Sequence, residues 1–355
     1  MGTSAAELAV DVRPGVATPS RTALGGALDV VREALADGFP PGAALAVVDR
    51  DGIAARAFGG LAVTEPEIPV AFGTIFDLAS LTKLVVTVPL ALALEERGAW
   101  GLDDPVARWL PGYPSHEISL WHCLTHCSGL PAWRPFYEHG QGMRAVQRLV
   151  YAERRERPLG EEVCYSDLNF MLLGWAAARC AGEQLQRAAR RIVLEPLGMR
   201  DTRYRPPESW QRRIAATEDV WGIVHDENAR ALGGVAGHAG LFGPLADLAR
   251  FVRALLRPDE HPVLSRDALE RMTRRQTGDP PEVRGLGWQV QPFGMATGWP
   301  DDTYGHTGFT GTSLVVSPQA GLGVVLLTNA VHARRRSAEI VALRRAFHSA
   351  LAAGI

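Results

Sequence analysis

Cysteine is scarce: Cys123, Cys127, Cys164 and Cys180 are the only four in 355 residues, too few for a disulfide framework in a chain of this length. Long apolar runs are missing too. The nearest, LVVTVPLALAL at 84–94, carries a proline and falls short of the roughly 18 residues that a membrane-spanning helix needs. Charge of one sign is also lacking, and a formal net charge of −2 argues against a nucleic-acid partner, which calls for a basic surface. The opening MGTSAAELAVDVRPG has neither the basic region nor the unbroken apolar core of a secretory leader, and Ala6 stands where a myristoylation motif has Ser or Thr. These absences lead to the expectation of a soluble, cytoplasmic protein with no membrane partner. They leave the oligomeric state undetermined.

What is present is ordinary for a globular protein, 46% hydrophobic and 21% charged, with length enough for two interleaved lobes. Residues 1–21 are punctuated by Pro, Gly and Thr and read as a loose arm. From 22 to 37, Leu24, Leu28, Val31 and Leu35 form one helical stripe. AALAVVDR and IAARAFGG, joined through Asp51-Gly52, predict a β-hairpin. Near the other terminus GLGWQVQPF, YGHTGFTGTSLVVSP and GLGVVLLTN read as three strands, followed by a helix over 335–353. Between about 82 and 275 the periodicity is mostly helical, with a Gly-rich stretch at 233–243. The prediction is an α+β fold. An antiparallel sheet with flanking helices is built from 22–80 and 280–355, a mostly helical lobe spans 81–279, and the active site lies in the cleft between them.

The sharpest local feature is Ser80-Leu81-Thr82-Lys83 at the start of a helix. Residues i and i+3 share a helix face, so the Lys83 amine can reach the Ser80 hydroxyl, a weak nucleophile that needs such a neighbour. Lys83 is embedded in apolar sequence, where burial would lower its pKa towards that of a useful base. Further along come Cys164-Tyr165-Ser166-Asp167-Leu168-Asn169, opening an apolar helix, and Gly305-His306-Thr307-Gly308-Phe309.

S-x-x-K followed in order by an S-D-N-like and a K-T-G-like element marks β-lactamases and penicillin-binding proteins. With LTHCSGLPAW (124–133), VHDENARALGGVAGHAGLF (224–242) and GHTGFTGTSLVVSP (305–318), the chain resembles the penicillin-binding-protein-like serine hydrolases, which include class C β-lactamases, esterases, D-aminopeptidases and acyltransferases. The resemblance covers about residues 25–350. It implies that Ser80 attacks a carbonyl, that Lys83 assists as base and that Tyr165 shuttles the proton. It also implies that the backbone N–H groups of Ser80 and Phe309 form an oxyanion hole beside Gly308. It calls for no cofactor and no metal, and for a small-molecule ester or amide as substrate.

Two positions depart from the class C pattern. Asp167 stands where that pattern has Asn; beside Lys83 it would favour the charged amine, leaving more of the base role to Tyr165. Alternatively it caps its helix and Asn169 or a distant group touches substrate. His306 stands where a lactamase has lysine, and a largely neutral histidine tilts the expectation away from β-lactams towards esters, amides or amine-terminated substrates. His238, Trp133 and Trp288 are further candidates to line the site, and His225 to Asn228 to border it. His122 and His126, spaced i, i+4, lack a third ligand at sensible spacing for a metal.

Overall fold

A computed structural model describes residues 8–16, 18–218, 220–279, 282–291, 295, 297–332 and 336–355. Its framework is an eight-stranded antiparallel sheet. The strands are β1 (Ala9–Val12), β2 (Gly42–Asp49), β3 (Gly52–Val63) and β4 (Ile68–Pro69) from the first part of the chain. β8 (Gln289–Val290), β9 (Tyr304–Thr307), β10 (Ser313–Ser317) and β11 (Leu322–Thr328) come from the last part. The order is β1-β3-β2-β11-β10-β9-β8, with β4 on β3, so the two termini meet at the central β2–β11 pair. The Asp51-Gly52 hairpin forms as expected, with the Asp49 carboxylate accepting the Asp51 and Gly52 N–H groups.

β2 is buried almost throughout because helices cover both faces of the sheet. Leu45 and Val47 join Leu24, Leu28, Val31, Phe347 and Leu351 of helices Arg21–Ala36 and Ser337–Ala352. Ala44, Ala46 and Val48 face the opposite core, which contains helix Leu245–Leu255. The period-two alternation of a strand assigns each set to its face. The stripe expected over 22–37 is therefore a real helix, and Ser20 caps it through the Ala23 N–H.

Several elements depart from the sequence-based expectation. Within the supposedly loose arm, β1 pairs with β3, and Asp11 meets Arg56 across the edge; residues 1–7 and 17 lie outside the described residues. Residues 305–318 form two strands rather than one. The Gly308–Thr312 turn breaks them, and Gly311 there takes a φ of +109° that only glycine adopts readily. Two features cut across the expected lobe boundary. Helix Leu245–Leu255 packs on the large sheet, and β6 (Arg203–Tyr204) and β7 (Leu241–Pro244) make a second, three-stranded sheet with β5 (Ile75–Asp77). No helix among the described residues is long and apolar enough to cross a membrane.

Candidate active site

β5 delivers the chain to Ala79, which takes a φ of +46°, and Ser80 then enters a helical run. The Lys83–Thr87 turn of that run is π-helical before it continues as helix Val88–Glu96. Pro89 explains the loosened turn, since it has no N–H to bond and crowds the carbonyl of Val85. The Lys83 side chain is wholly buried, with Nζ 2.9 Å from Ser80 Oγ, 2.7 Å from Asp167 Oδ1 and 3.2 Å from the His238 carbonyl. Those three acceptors match the three N–H bonds of an ammonium. The His238 carbonyl reaches Lys83 because Gly237 packs directly on helix Asp167–Cys180 at Gly174. A Cβ on Gly237 would stand 2.1 Å from the Phe170 carbonyl.

Burial alone lowers the pKa of Lys83, as its apolar setting predicts, but Asp167 and then Tyr165 outweigh it, so the amine sits above its ordinary value. Of the two opposing influences expected on Lys83, burial and the Asp167 carboxylate, the shift follows the carboxylate. The alternative in which Asn169 touches substrate is not met: Asn169 is buried and accepts the Ser128 hydroxyl at 2.5 Å.

Tyr165 stands in a ring of polar groups. Lys83 Nζ is 4.9 Å from its ring centroid, the Arg284 guanidinium 5.3 Å, and the rings of His126 and His306 4.7 and 5.4 Å. The Tyr165 hydroxyl has no hydrogen-bond partner of regular geometry. His306 Nδ1 donates to the Thr307 carbonyl at 2.7 Å, leaving Nε2 as the acceptor of the neutral ring. Burial, then Arg284 and Lys83, holds His306 well below the ordinary histidine pKa, in keeping with the neutral side chain expected there. His126 is held low by burial first and then by Arg284, and its Nδ1 accepts the Ser166 N–H at 3.0 Å.

These buried neutral histidines make stability acid-sensitive. His348, on the last helix, is pushed down to about 3 by burial and is 3.0 Å from Ser313 Oγ. A histidine whose folded pKa is depressed contributes fully above its unfolded pKa of about 6.5, and that contribution is lost as pH falls towards the folded value. The melting temperature is expected to drop from pH 6.5 to pH 4, and His348→Gln to flatten that slope. An unchanged slope in the variant would show that His348 does not contribute.

Opposite Ser80, the Gly308–Thr312 turn is stitched to the β5 side. Thr310 Oγ1 donates to the Asp77 carbonyl at 2.7 Å and Thr312 Oγ1 to the Leu78 carbonyl at 3.3 Å. Gly308 leaves no space: a Cβ there would lie 2.2 Å from Thr312 Oγ1 and 2.7 Å from the Leu78 carbonyl. Arg344, buried on the last helix, donates to the carbonyls of Gly308, Gly311 and Thr312, and burial lowers its pKa to about 10. A cavity of about 440 Å³ opens over Ser80, walled by Tyr165, Arg284, His306, Phe309 and Ile340.

The structure thus brings Ser80, Lys83, Tyr165, Asp167, His306, Gly308 and Phe309 together. The other candidates sit elsewhere. The His238 ring turns away to Asp226, 2.9 Å from its Oδ1, so only its carbonyl serves the site. Trp288 is a core residue, fully buried between Phe251 and Tyr304, and Trp133 lies partly exposed against Tyr137 outside the cavity wall. Asn228 accepts from the Tyr137 N–H and donates to the Arg134 carbonyl, a structural role. His122 bonds its own helix cap, and no group of three metal-ligating side chains occurs among the described residues. Arg284 was missed by sequence reasoning; in a loop beside Glu282, its ion-pair partner at 2.8 Å, it resembles any solvated arginine.

The family model for Beta-lactamase matches residues 28–347. The chain is 29% identical over 331 residues to an Escherichia coli (strain K12) protein named "Putative D-alanyl-D-alanine carboxypeptidase", covering 79% of this chain and 74% of that one. Among solved structures it resembles the Beta-Lactamase/D-Alanine Carboxypeptidase from Pseudomonas syringae, with a TM-score of 0.77 at 21% identity over 92% and 98% of the two chains. It also resembles the class C beta lactamase from Rhodobacter sphaeroides, with a TM-score of 0.74 at 22% identity and the same coverage.

Proposed function

The chain belongs to the Beta-lactamase family, a family of serine hydrolases, and from that premise we propose that it forms an acyl-enzyme at Ser80 on small ester or amide substrates. The reading is of a carboxylesterase-like hydrolase or a small-molecule transacylase. The observation that carries it is Ser80 Oγ, 2.9 Å from a buried ammonium and open to a cavity that the Gly308–Phe309 turn also lines. Lys83 stays charged and donates to Ser80 Oγ, stabilising negative charge as it develops there. Tyr165 receives the Ser80 proton as its own passes to the leaving oxygen or nitrogen, so the phenol ends the step unchanged. The N–H groups of Ser80 and Phe309 take up the carbonyl oxygen. Water, or an alcohol or amine acceptor, then attacks the acyl-enzyme through the same relay in reverse. His306, neutral and without a lysine's charge, accepts a hydrogen bond from the substrate. Four unpaired cysteines fit action in the reducing cytoplasm.

A second reading, a peptidase that removes a terminal D-amino acid, draws support from Arg284 and Arg336 on the cavity wall and from the name of the E. coli relative. Intact mass after a fluorophosphonate tests the common core: one adduct is expected, on the peptide carrying Ser80. No adduct, or one elsewhere, would leave a non-catalytic binding protein as the better reading. Turnover of a p-nitrophenyl ester is expected to exceed that of nitrocefin by orders of magnitude. Comparable rates, or faster D-alanine release from a D-Ala-D-Ala peptide, would favour the second reading.

A further inference from the structure

Asp77, the last residue of β5, has a buried carboxylate and no ion-pair partner among the described residues, so its hydrogen bonds alone offset the cost of burial. Burial pushes its carboxyl above the usual range, and its hydrogen bonds only partly offset this. Oδ1 accepts the Ala79 N–H at 2.9 Å and Oδ2 the His225 N–H at 2.7 Å. The backbone carbonyl of Asp77 accepts the Thr310 hydroxyl at 2.7 Å. Ala79 immediately precedes Ser80, and Thr310 immediately follows Phe309. The His225 ring stacks on that same Phe309, 5.4 Å away at an interplanar angle of 24°.

One residue therefore holds both sides of the cavity mouth. A carboxylate suits the task because it offers an acceptor to each N–H. An asparagine has one oxygen, and its amide nitrogen would confront the second donor.

We propose that Asp77 is a positioning residue for the oxyanion hole, setting the Ser80 N–H through Ala79 and the Phe309 N–H through His225 and Thr310. The proposal rests on the acyl-enzyme reading above. Asp77 does not touch substrate. It fixes the spacing of two donors on which rate depends steeply, since losing one oxyanion donor costs about 10²–10³-fold.

The test compares wild type, Asp77→Asn and Thr310→Val on a p-nitrophenyl ester, with the infrared carbonyl stretch of the trapped acyl-enzyme as second readout. Asp77→Asn is expected to lose about 10²-fold in kcat. KM should stay nearly unchanged, and the stretch should move to higher wavenumber as hydrogen bonding to the carbonyl weakens. Thr310→Val is expected to show the same shift with about a tenfold loss, as one supporting bond goes. An unaltered kcat, a loss confined to KM, or a kcat loss with an unmoved stretch overturns the proposal. If Asp77→Asn does not fold, Thr310→Val decides by the same criteria. Absence of an adduct on wild type defeats the acyl-enzyme reading and this proposal with it, whereas an adduct on wild type alongside wild-type behaviour in both variants defeats the positioning role alone.

Discussion

Lys83→Met is expected to lower kcat/KM on an ester by about 10³-fold, the scale on which a charge-stabilising donor at a reacting oxygen is lost. Methionine fills the same buried volume without the charge, so the ammonium that meets Ser80 Oγ and Asp167 is removed with little disturbance to packing. The contrasting variant is Asp167→Asn. In the wild type the raised pKa of Lys83 means that its ion pair stabilises the fold fully below the unfolded lysine value near 10.5, and the contribution fades only above it. Melting temperature should therefore show no lysine-dependent slope between pH 7 and 10.

Without Asp167, burial becomes the dominant influence on Lys83 and its pKa falls below the ordinary value. Folding must then discharge the lysine, so Asp167→Asn should be destabilised at neutral pH and gain stability as pH rises towards 10. Its rate profile should acquire a new limb as a neutral amine becomes available to act as base. A pH-stability curve parallel to wild type would show that Asp167 does not set the lysine's charge. The double variant Lys83→Met/Asp167→Asn should be more stable than either single change predicts, because each alone strands a buried polar partner.

Gly308→Ala is the second large effect, and it arises from a single methyl group. The Thr312 hydroxyl could rotate out of the way, but the Leu78 carbonyl at 2.7 Å is backbone and cannot. The turn must back away from β5, which loosens the Thr310 and Thr312 bonds and moves the Phe309 N–H. Overpacking of this kind costs about 1–3 kcal/mol, and a displacement near 1 Å at a reacting centre costs about 10²-fold in rate. Loss of both stability and kcat is expected, measured by thermal melting and ester turnover. Gly101→Ala, where no atom lies within 4 Å of the added carbon, should change neither. Full activity in Gly308→Ala would mean that the turn is not held against the nucleophile strand.

Sequence reasoning succeeded where chemistry is local or ordered along the chain. Ser80 and Lys83 are three residues apart, so their meeting follows from helical geometry, and the sheet followed from strand-like runs at both ends. It went astray where the outcome depends on a balance between distant groups. The burial of Lys83 was legible in its apolar neighbours and the pull of Asp167 in its motif, but which of the two prevails depends on a 2.7 Å approach that spacing along the chain does not supply. His238 was expected to line the site, yet a sequence names a residue and not the atom used: the ring turns to Asp226, and the carbonyl meets Lys83. Trp288 shares a segment with true cavity residues, and only the face on which it lies, against Phe251, makes it core. Arg284 carried no signal at all, because stacking over Tyr165 has no local pattern.

Arg344 ties the activity to a helix that carries none of the reacting groups. It lies on helix Ser337–Ala352, yet its guanidinium gathers the carbonyls of the turn beside the nucleophile, while β11, directly before that helix, pairs with β2 near the other terminus. Deleting that helix is therefore expected to silence a centre from which no reacting group has been removed, because the Gly308–Thr312 turn would lose its brace.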